Sequence, residues 1–367
     1  VDKKITIQDI ARYTKISAGT IDRVIHNRGK VSPEKKRKIE EAIKKLNFNP
    51  NLLARTLALS NRFSIYILIP SDESDHQYWS LPCEGIDQAI SMYYDYGFAV
   101  KYFYYNQFNE NSFIDQANNI LLQNPDGVVL APTFIQESIS FVQKLRERGI
   151  PYIYIDADIP GHQSLAYIGP DVGRSAYIAG KLLNSVVKDK NEFLIVNMVK
   201  GFNNASTLLR MENGFKKYFA DRSLSDSVKI HTLTINSVQK KFVFEKLEKI
   251  YLEYPGINGV FVTNSKAFLV SEFHKRHNLK SKLIGFDLVE DNIIHLKQGG
   301  IEYILSQSPF QQGARSIQTF FDFFIFKKIP PKIQYVPLDI IIKENIDFYI
   351  EFHQNNKFGQ NKKALNI

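Results

Sequence analysis

A single cysteine, Cys83, leaves no partner for an internal disulfide and no basis for a multi-cysteine metal site. No apolar run reaches the ~18 residues of a membrane span, and the basic N-terminus leads into an amphipathic pattern with no signal-peptide core. The chain therefore reads as soluble and cytoplasmic, with no membrane partner. It also lacks a phosphate loop of the Gly-x-x-x-x-Gly-Lys-Ser/Thr type, a Gly-x-Ser-x-Gly elbow and any clustered His/Cys spacing. Nothing here calls for a metal, a cofactor or a catalytic role.

Net positive charge is absent over most of the chain and concentrated at one end. Residues 1–62 hold 15 Lys and Arg against 6 Asp and Glu, so the whole excess of +9 lies there and the rest of the 367 residues is neutral. Such asymmetry points to a polyanionic partner for the head and an uncharged one for the body.

Within the head, Ile7, Ile10 and Ala11 recur at helical spacing after a capping Thr6, with Asp9 three residues on. A break at 14–16 precedes a second helix capped by Ser17, whose inner face is Ile21, Val24 and Ile25. Ser32-Pro33 opens a third, carrying Ile39, Ala42, Ile43 and Leu46. Two short helices joined by a tight turn and backed by a third form a helix-turn-helix, which sets the start of its second helix in the major groove. Ser17, Ala18, Gly19 and Thr20 form that start, with Arg23 one turn later, placed for phosphates or base edges. Asp22 either accepts from a cytosine amino group or pairs with His26 at i+4.

The head's motifs, Thr6-Ile7-x-Asp9-Ile10-Ala11, Ser17-x-x-Thr20-Ile21-x-Arg23-Val24, Asn27-x-x-x-Val31-Ser32 and Asn49-Pro50-Asn51-x-x-Ala54-Arg55-x-Leu57, resemble the head of the lactose-repressor (LacI) family. The resemblance implies a hinge helix over Pro50–Leu59 that forms on DNA as a dimer pair, with Asn51, Ala54 and Arg55 at the DNA. Leu57 would be a minor-groove wedge; an ordinary linker leucine packing on the body is the alternative. Asp22 stands where the family usually has a small hydroxyl residue, and Ala18-Gly19 offers few polar readers.

From Arg62 onward about ten short apolar strands alternate with helices, from Ser64–Pro70 to Tyr303–Ser306. That rhythm predicts an α/β fold of two lobes, each a doubly wound parallel sheet. The expected boundaries are 1–48 for the helix-turn-helix, 49–62 for the hinge, 63–360 for the two-lobed body and 361–367 for a tail. Polar residues recur where strands end: Asp156, Asn264, Asp287 and Gln307. Ligands of such folds bind outside the carboxyl ends of the strands, and Tyr78-Trp79 lies in the loop before the first body helix. Aromatic faces beside carboxylates and amides suit sugars. The phenylalanines at 320, 321, 323, 324 and 326 read as core, or as part of a dimer interface.

The body is similar to type I periplasmic sugar-binding proteins, the ribose-binding branch in particular, through Tyr78-Trp79-Ser80-Leu81-x-x-x-Gly85, Ile155-Asp156, Ile168-Gly169-x-Asp171, Thr263-Asn264, Gly285-Phe286-Asp287 and Ser306-Gln307. By that resemblance Tyr78 and Trp79 stack on an effector, Asp156, Asn264, Asp287 and Gln307 hydrogen-bond it, and Asp171 is structural. Arg210 is a further effector candidate, although it sits one position out of the usual register before Asn213-Gly214-Phe215. Ala157 stands where sugar binders often place an arginine, and Pro170 replaces a small hydroxyl residue. The implied function is a homodimeric transcription regulator, by family default a repressor, on a pseudo-palindromic DNA operator. Its effector would be a small molecule of the sugar class; a non-sugar metabolite and an activating role remain the alternatives.

Overall fold

The computed structural model describes residues 7–25, 29, 31–46, 62–71, 78–188, 192–198 and 205–351. The head has three helices, α1 (Ile7–Thr14), α2 (Ala18–Ile25) and α3 (Pro33–Lys45). Ile10, Ile21, Ile39 and Ala42 form its buried centre, with Ile7, Ala11, Val24, Ile25, Ile43 and Leu46 packed around it. The apolar spacing thus gives the expected core. Two caps differ from expectation. The Ser17 hydroxyl meets the Thr20 hydroxyl at 2.9 Å, and Ser32 makes no side-chain cap bond, so α3 starts on Pro33 at its first helical position.

The body alternates strands and helices. Its first lobe begins β1 (Phe63–Pro70), α4 (Ser80–Tyr93), β2 (Phe98–Tyr105), α5 (Glu110–Gln123), β3 (Gly127–Leu130), α6 (Ile135–Glu147), β4 (Tyr152–Ile155) and β5 (Ala166–Gly169). The chain then crosses over through α7 (Val172–Val186) to β6 (Glu192–Met198), α8 (Ala205–Ala220), β7 (Lys229–Ile235), α9 (Lys240–Glu253), β8 (Gly259–Val262), α10 (Ala267–Arg276), β9 (Lys282–Phe286), α11 (Glu290–Lys297) and β10 (Tyr303–Ser306). It returns through α12 (Pro309–Phe326) to β11 (Ile333–Tyr335) and crosses a third time to β12 (Asp339–Ile341).

Two six-stranded sheets result, ordered β11-β5-β4-β3-β1-β2 and β12-β10-β9-β8-β6-β7. The second repeats the first position for position. The parallel, two-lobed reading holds, with one difference. Sequence pattern suggests about ten strands, and the described residues form twelve. β11 and β12 are three-residue edge strands flanked by prolines, too short for an alternation to register, and β12 pairs antiparallel with β10.

Both faces of each sheet are covered. Ile65, Ile67 and Ile69 of β1 face α4 and α12, whereas Leu68 faces α5 and α6, the two-residue alternation of a strand buried on both sides. The phenylalanine stripe of α12 is mainly core: Phe320 and Phe321 are buried, Phe321 stacks on Tyr93 at 4.1 Å, and Phe324 stacks on Phe63 at 4.9 Å. Only Phe326 is half exposed.

In each lobe a crossover helix packs backbone to backbone on a neighbour. A Cβ at Gly85 of α4 would meet the Phe310 carbonyl of α12, and one at Gly214 of α8 would meet the Gly173 carbonyl of α7. Neither contact has a flexible side chain to yield. Gly214→Ala should therefore lose about 1–3 kcal/mol of stability by overpacking. Chemical denaturation of the full chain checks this, and an unchanged midpoint would mean that the helices part without cost.

Candidate functional site

Ser17, Ala18, Gly19 and Arg23 are exposed on α2, and Thr20 and Asp22 are half-buried. A Cβ at Gly19 would meet nothing within 4 Å, so this end of α2 is open for close approach. Thr6, Asn27, Asn51, Ala54, Arg55 and Leu57, with His26 and the hinge-helix segment, lie outside the described residues.

In the body, Asp156 follows β4 and Asp287 follows β9, the topologically equivalent strands of the two sheets. Both adopt φ of +68°, a left-handed conformation that aspartate tolerates better than most residues. Asn264 follows β8 by two residues, and Gln307 follows β10 directly. Together with Tyr78 and Trp79, these four residues line one cavity of roughly 240 Å³ that takes its walls from both lobes. It is a little smaller than the ~300–1,000 Å³ of pockets that take drug-sized ligands, and its size suits one small molecule.

The polar groups are held in place by one another. The Tyr78 hydroxyl donates to Asp156 Oδ1 at 2.6 Å, and the Tyr78 and Trp79 rings meet edge to face at 4.9 Å. Gln307 Nε2 donates to Asp287 Oδ1 at 3.1 Å. Asn264 Nδ2 donates to the Met198 carbonyl at 2.6 Å, and its Oδ1 accepts from Lys266 N at 3.2 Å. Part of the amide capacity at Asn264 and Gln307 thus goes to shaping the wall. Among the described residues the buried Trp79 Nε1–H has no hydrogen-bond partner, so it is a donor in the wall that a ligand oxygen would satisfy. The Tyr167 hydroxyl donates to the Pro170 carbonyl at 2.8 Å. Burial, chiefly, together with the Asp156 and Asp158 carboxylates, raises its pKa far above the usual tyrosine value, so it remains a neutral donor.

Arg210 lies elsewhere. It does not line the cavity; its Nη2 donates to Asp158 Oδ1 at 2.8 Å. The next residue of α8, Met211, lines the cavity instead. One residue along a helix turns the side chain by about 100°, so a one-position shift in sequence replaces a guanidinium in the wall with a thioether. Asp171 caps α7, accepting from Arg174 N at 3.0 Å, which matches its structural reading.

Three further residues shape the site without standing out as polar groups at strand ends. Lys266 is 5% exposed and lines the cavity. Asn292 is fully buried: its Nδ2 donates to the carbonyls of Ser265, Phe286 and Asp287 at 3.0, 2.9 and 3.1 Å, and its Oδ1 accepts from Phe268 N at 2.9 Å. It clamps the strand ends that carry Asn264 and Asp287. Gln312 is 1% exposed; its Oε1 accepts from Asp156 N at 2.7 Å and its Nε2 donates to the Gln307 carbonyl at 2.9 Å. The available clue was a polar residue in the apolar register of α12, four and eight residues before Ser316 and Phe320.

The Arg210–Asp158 pair joins the two lobes beside the cavity, with side chains 40% and 25% exposed. At that exposure the pair contributes at most about 1 kcal/mol. Arg210→Gln and Asp158→Asn should each be mild, and the double variant should be no worse than either single. A cycle of denaturation midpoints reads this coupling, and strictly additive losses would show that the two side chains act separately.

Residues 65–328 match the periplasmic binding protein domain family, and residues 6–51 match bacterial regulatory proteins of the lacI family. Among curated proteins, the chain is 27% identical to catabolite control protein A of Staphylococcus xylosus over 201 residues, covering 47% of this chain and 57% of that protein. It is 28% identical to catabolite control protein A of Staphylococcus epidermidis over 160 residues, 42% of this chain and 44% of that protein. The chain thus spans about half the length of the curated relatives it matches. Among solved structures, a protein described as a LacI transcriptional regulator from Bacteroides fragilis superposes with a TM-score of 0.70 at 30% identity, over 79% of this chain and 100% of that one. GanP, a glucose-galactose binding protein from Geobacillus stearothermophilus, gives 0.68 at 21% identity over 78% and 99%. A solute binding protein from Agrobacterium vitis, bound with alpha-D-tagatopyranose, gives 0.68 at 20% over 78% and 96%. These last two likenesses concern the fold. With a lacI-family head, a matched body and a 30% identical regulator covered along its whole length, the chain belongs to the lacI family of bacterial regulatory proteins.

Proposed function

We propose that the protein is a transcription regulator that binds a pseudo-palindromic operator as a homodimer, and whose DNA affinity is set by a sugar-class effector held between its lobes. The observation that carries this reading is convergence: Tyr78, Trp79 and Asp156 from one lobe and Asn264, Asp287 and Gln307 from the other border a single cavity. The excess charge of +9 lies in residues 1–62, the separate helix-turn-helix and hinge segments. The aromatic faces cover the C–H faces of a sugar ring, and the two carboxylates accept from its hydroxyls.

On DNA, Ser17, Ala18, Gly19, Thr20, Asp22 and Arg23 meet the major groove, together with Thr6 and Asn27. Asn51, Ala54, Arg55 and Leu57 serve the hinge and minor groove. Residues 1–48, 49–62 and 63–360 act as head, hinge and effector body. Two-fold symmetry of the protein answers two-fold symmetry of the operator. A DNA target puts the protein in the cytoplasm; among the described residues no helix is long and apolar enough to cross a membrane. Coupling is linkage: an effector favouring one lobe arrangement changes DNA affinity, and DNA changes effector affinity by the same factor. Repression is the default reading. One observation favours a second effector class. Lys266 and Met211 line the wall where an all-neutral polyol site needs neither, a chemistry that also admits a non-sugar metabolite bearing an acidic group.

Trp79 is the only tryptophan, so its fluorescence reports a single place. Titration with neutral, amino and acidic sugars should give one saturable change. The matching gain in stability is about 2.7 kcal/mol at a hundredfold excess over Kd. Silence in both readouts across the panel would sink the sugar reading. For DNA, a sequence selected from a random pool should outcompete random duplex at physiological salt, whereas equal affinity would leave only phosphate attraction.

A further inference from the structure

One buried amide ties the effector residues of the two lobes together. Gln312 lies in the first turn of α12, which packs on β4 and β5 of the first lobe. Its Oε1 accepts the backbone N–H of Asp156, and its Nε2 donates to the carbonyl of Gln307, where the second sheet ends. Gln307 in turn donates to Asp287, and Asp156 accepts from Tyr78. A continuous line of hydrogen bonds thus runs Tyr78–Asp156–Gln312–Gln307–Asp287 across the base of the cleft. It contains both aspartates of positive φ.

From this line we infer that Gln312 is a positioning residue for the effector. It sets the spacing and aim of Asp156 and Asp287 and holds the lobes in the arrangement that binds, without itself bordering the cavity. Only a side chain that accepts at one end and donates at the other fits both partners, because Asp156 offers an N–H and Gln307 offers a C=O. Methionine fills the same volume and meets neither. Glutamate meets both when protonated, its carbonyl accepting from Asp156 and its hydroxyl donating to Gln307; ionised, it has no donor for Gln307. The titratable and charged groups near this position are the Asp156 and Asp287 carboxylates, the Tyr78 and Tyr167 hydroxyls and, further into the cleft, the Lys266 ammonium. Burial beside two carboxylates raises the pKa of a glutamate placed here.

The inference rests on the cleft being the effector site, and the experiment separates the two. Full-length wild type, Gln312→Met and Gln312→Glu are titrated with the sugar panel from pH 5.5 to pH 9, following Trp79 fluorescence, with circular dichroism to establish folding. Gln312→Met should bind the active sugar at least about tenfold more weakly at every pH, since one unmade buried hydrogen bond already sets that scale and methionine leaves two. Gln312→Glu should match wild type at the acid end and weaken as pH rises through its raised pKa. A purely space-filling role would leave Met equal to wild type and Glu without that rescue, and either result overturns the inference. If wild type binds no sugar, the sugar reading fails, and Gln312 is judged on the ligand-free proteins by small-angle scattering. There Gln312→Met must change the interlobe distance distribution, and an identical profile overturns the inference.

Discussion

Two lobes joined by three chain crossings have many relative arrangements, and the buried polar contacts at the crossings select among them. The crossings are bonded to one another as well as to the lobes. Val336 N donates to the Gly169 carbonyl at 3.0 Å, linking the third crossing to the first, and Ser308 Oγ donates to the Pro337 carbonyl at 3.0 Å, linking the second to the third. Gln312, just inside the second crossing, then reaches the strand end that carries Asp156. Val336, Gly169, Ser308 and Gln312 are buried, although Pro337 is exposed, and leaving a buried polar group unsatisfied costs about 1–3 kcal/mol. The cleft geometry is therefore held by hydrogen-bond satisfaction at the hinge. The flat apolar faces of the lobes fix each sheet but not the angle between them.

That division of labour suits a regulator. Apolar cores on both faces of both sheets make each lobe a rigid body. The residues proposed to hold the effector line the cavity from both bodies, and in that reading occupancy and lobe arrangement are one equilibrium. The internal repeat of the sheets puts Asp156 and Asp287 at equivalent places, so the cavity presents a carboxylate from each side. A ligand with hydroxyls on both faces of a ring answers both carboxylates at once. The rim pair of Arg210 and Asp158 adds a smaller tie between the same bodies.

The order of residues along the chain is enough to specify the head's helix-turn-helix, the charge division at residue 62, the alternating lobes and the strand-end positions of Asp156, Asn264, Asp287 and Gln307. Each is written in short-range signals: helical and two-residue periodicity, caps, and a polar residue closing an apolar run. Tertiary structure alone decided the rest. Arg210 leaves the cavity and Met211 enters it because helix rotation, invisible in a motif offset by one, sets which side chain faces the cleft. β11 and β12 are strands because neighbouring edges supply their partners, not because three residues carry a pattern. Gln312 meets Asp156 across 156 positions of sequence. No local signal can encode that pairing, since it exists only once the second crossing has brought α12 back onto the first sheet.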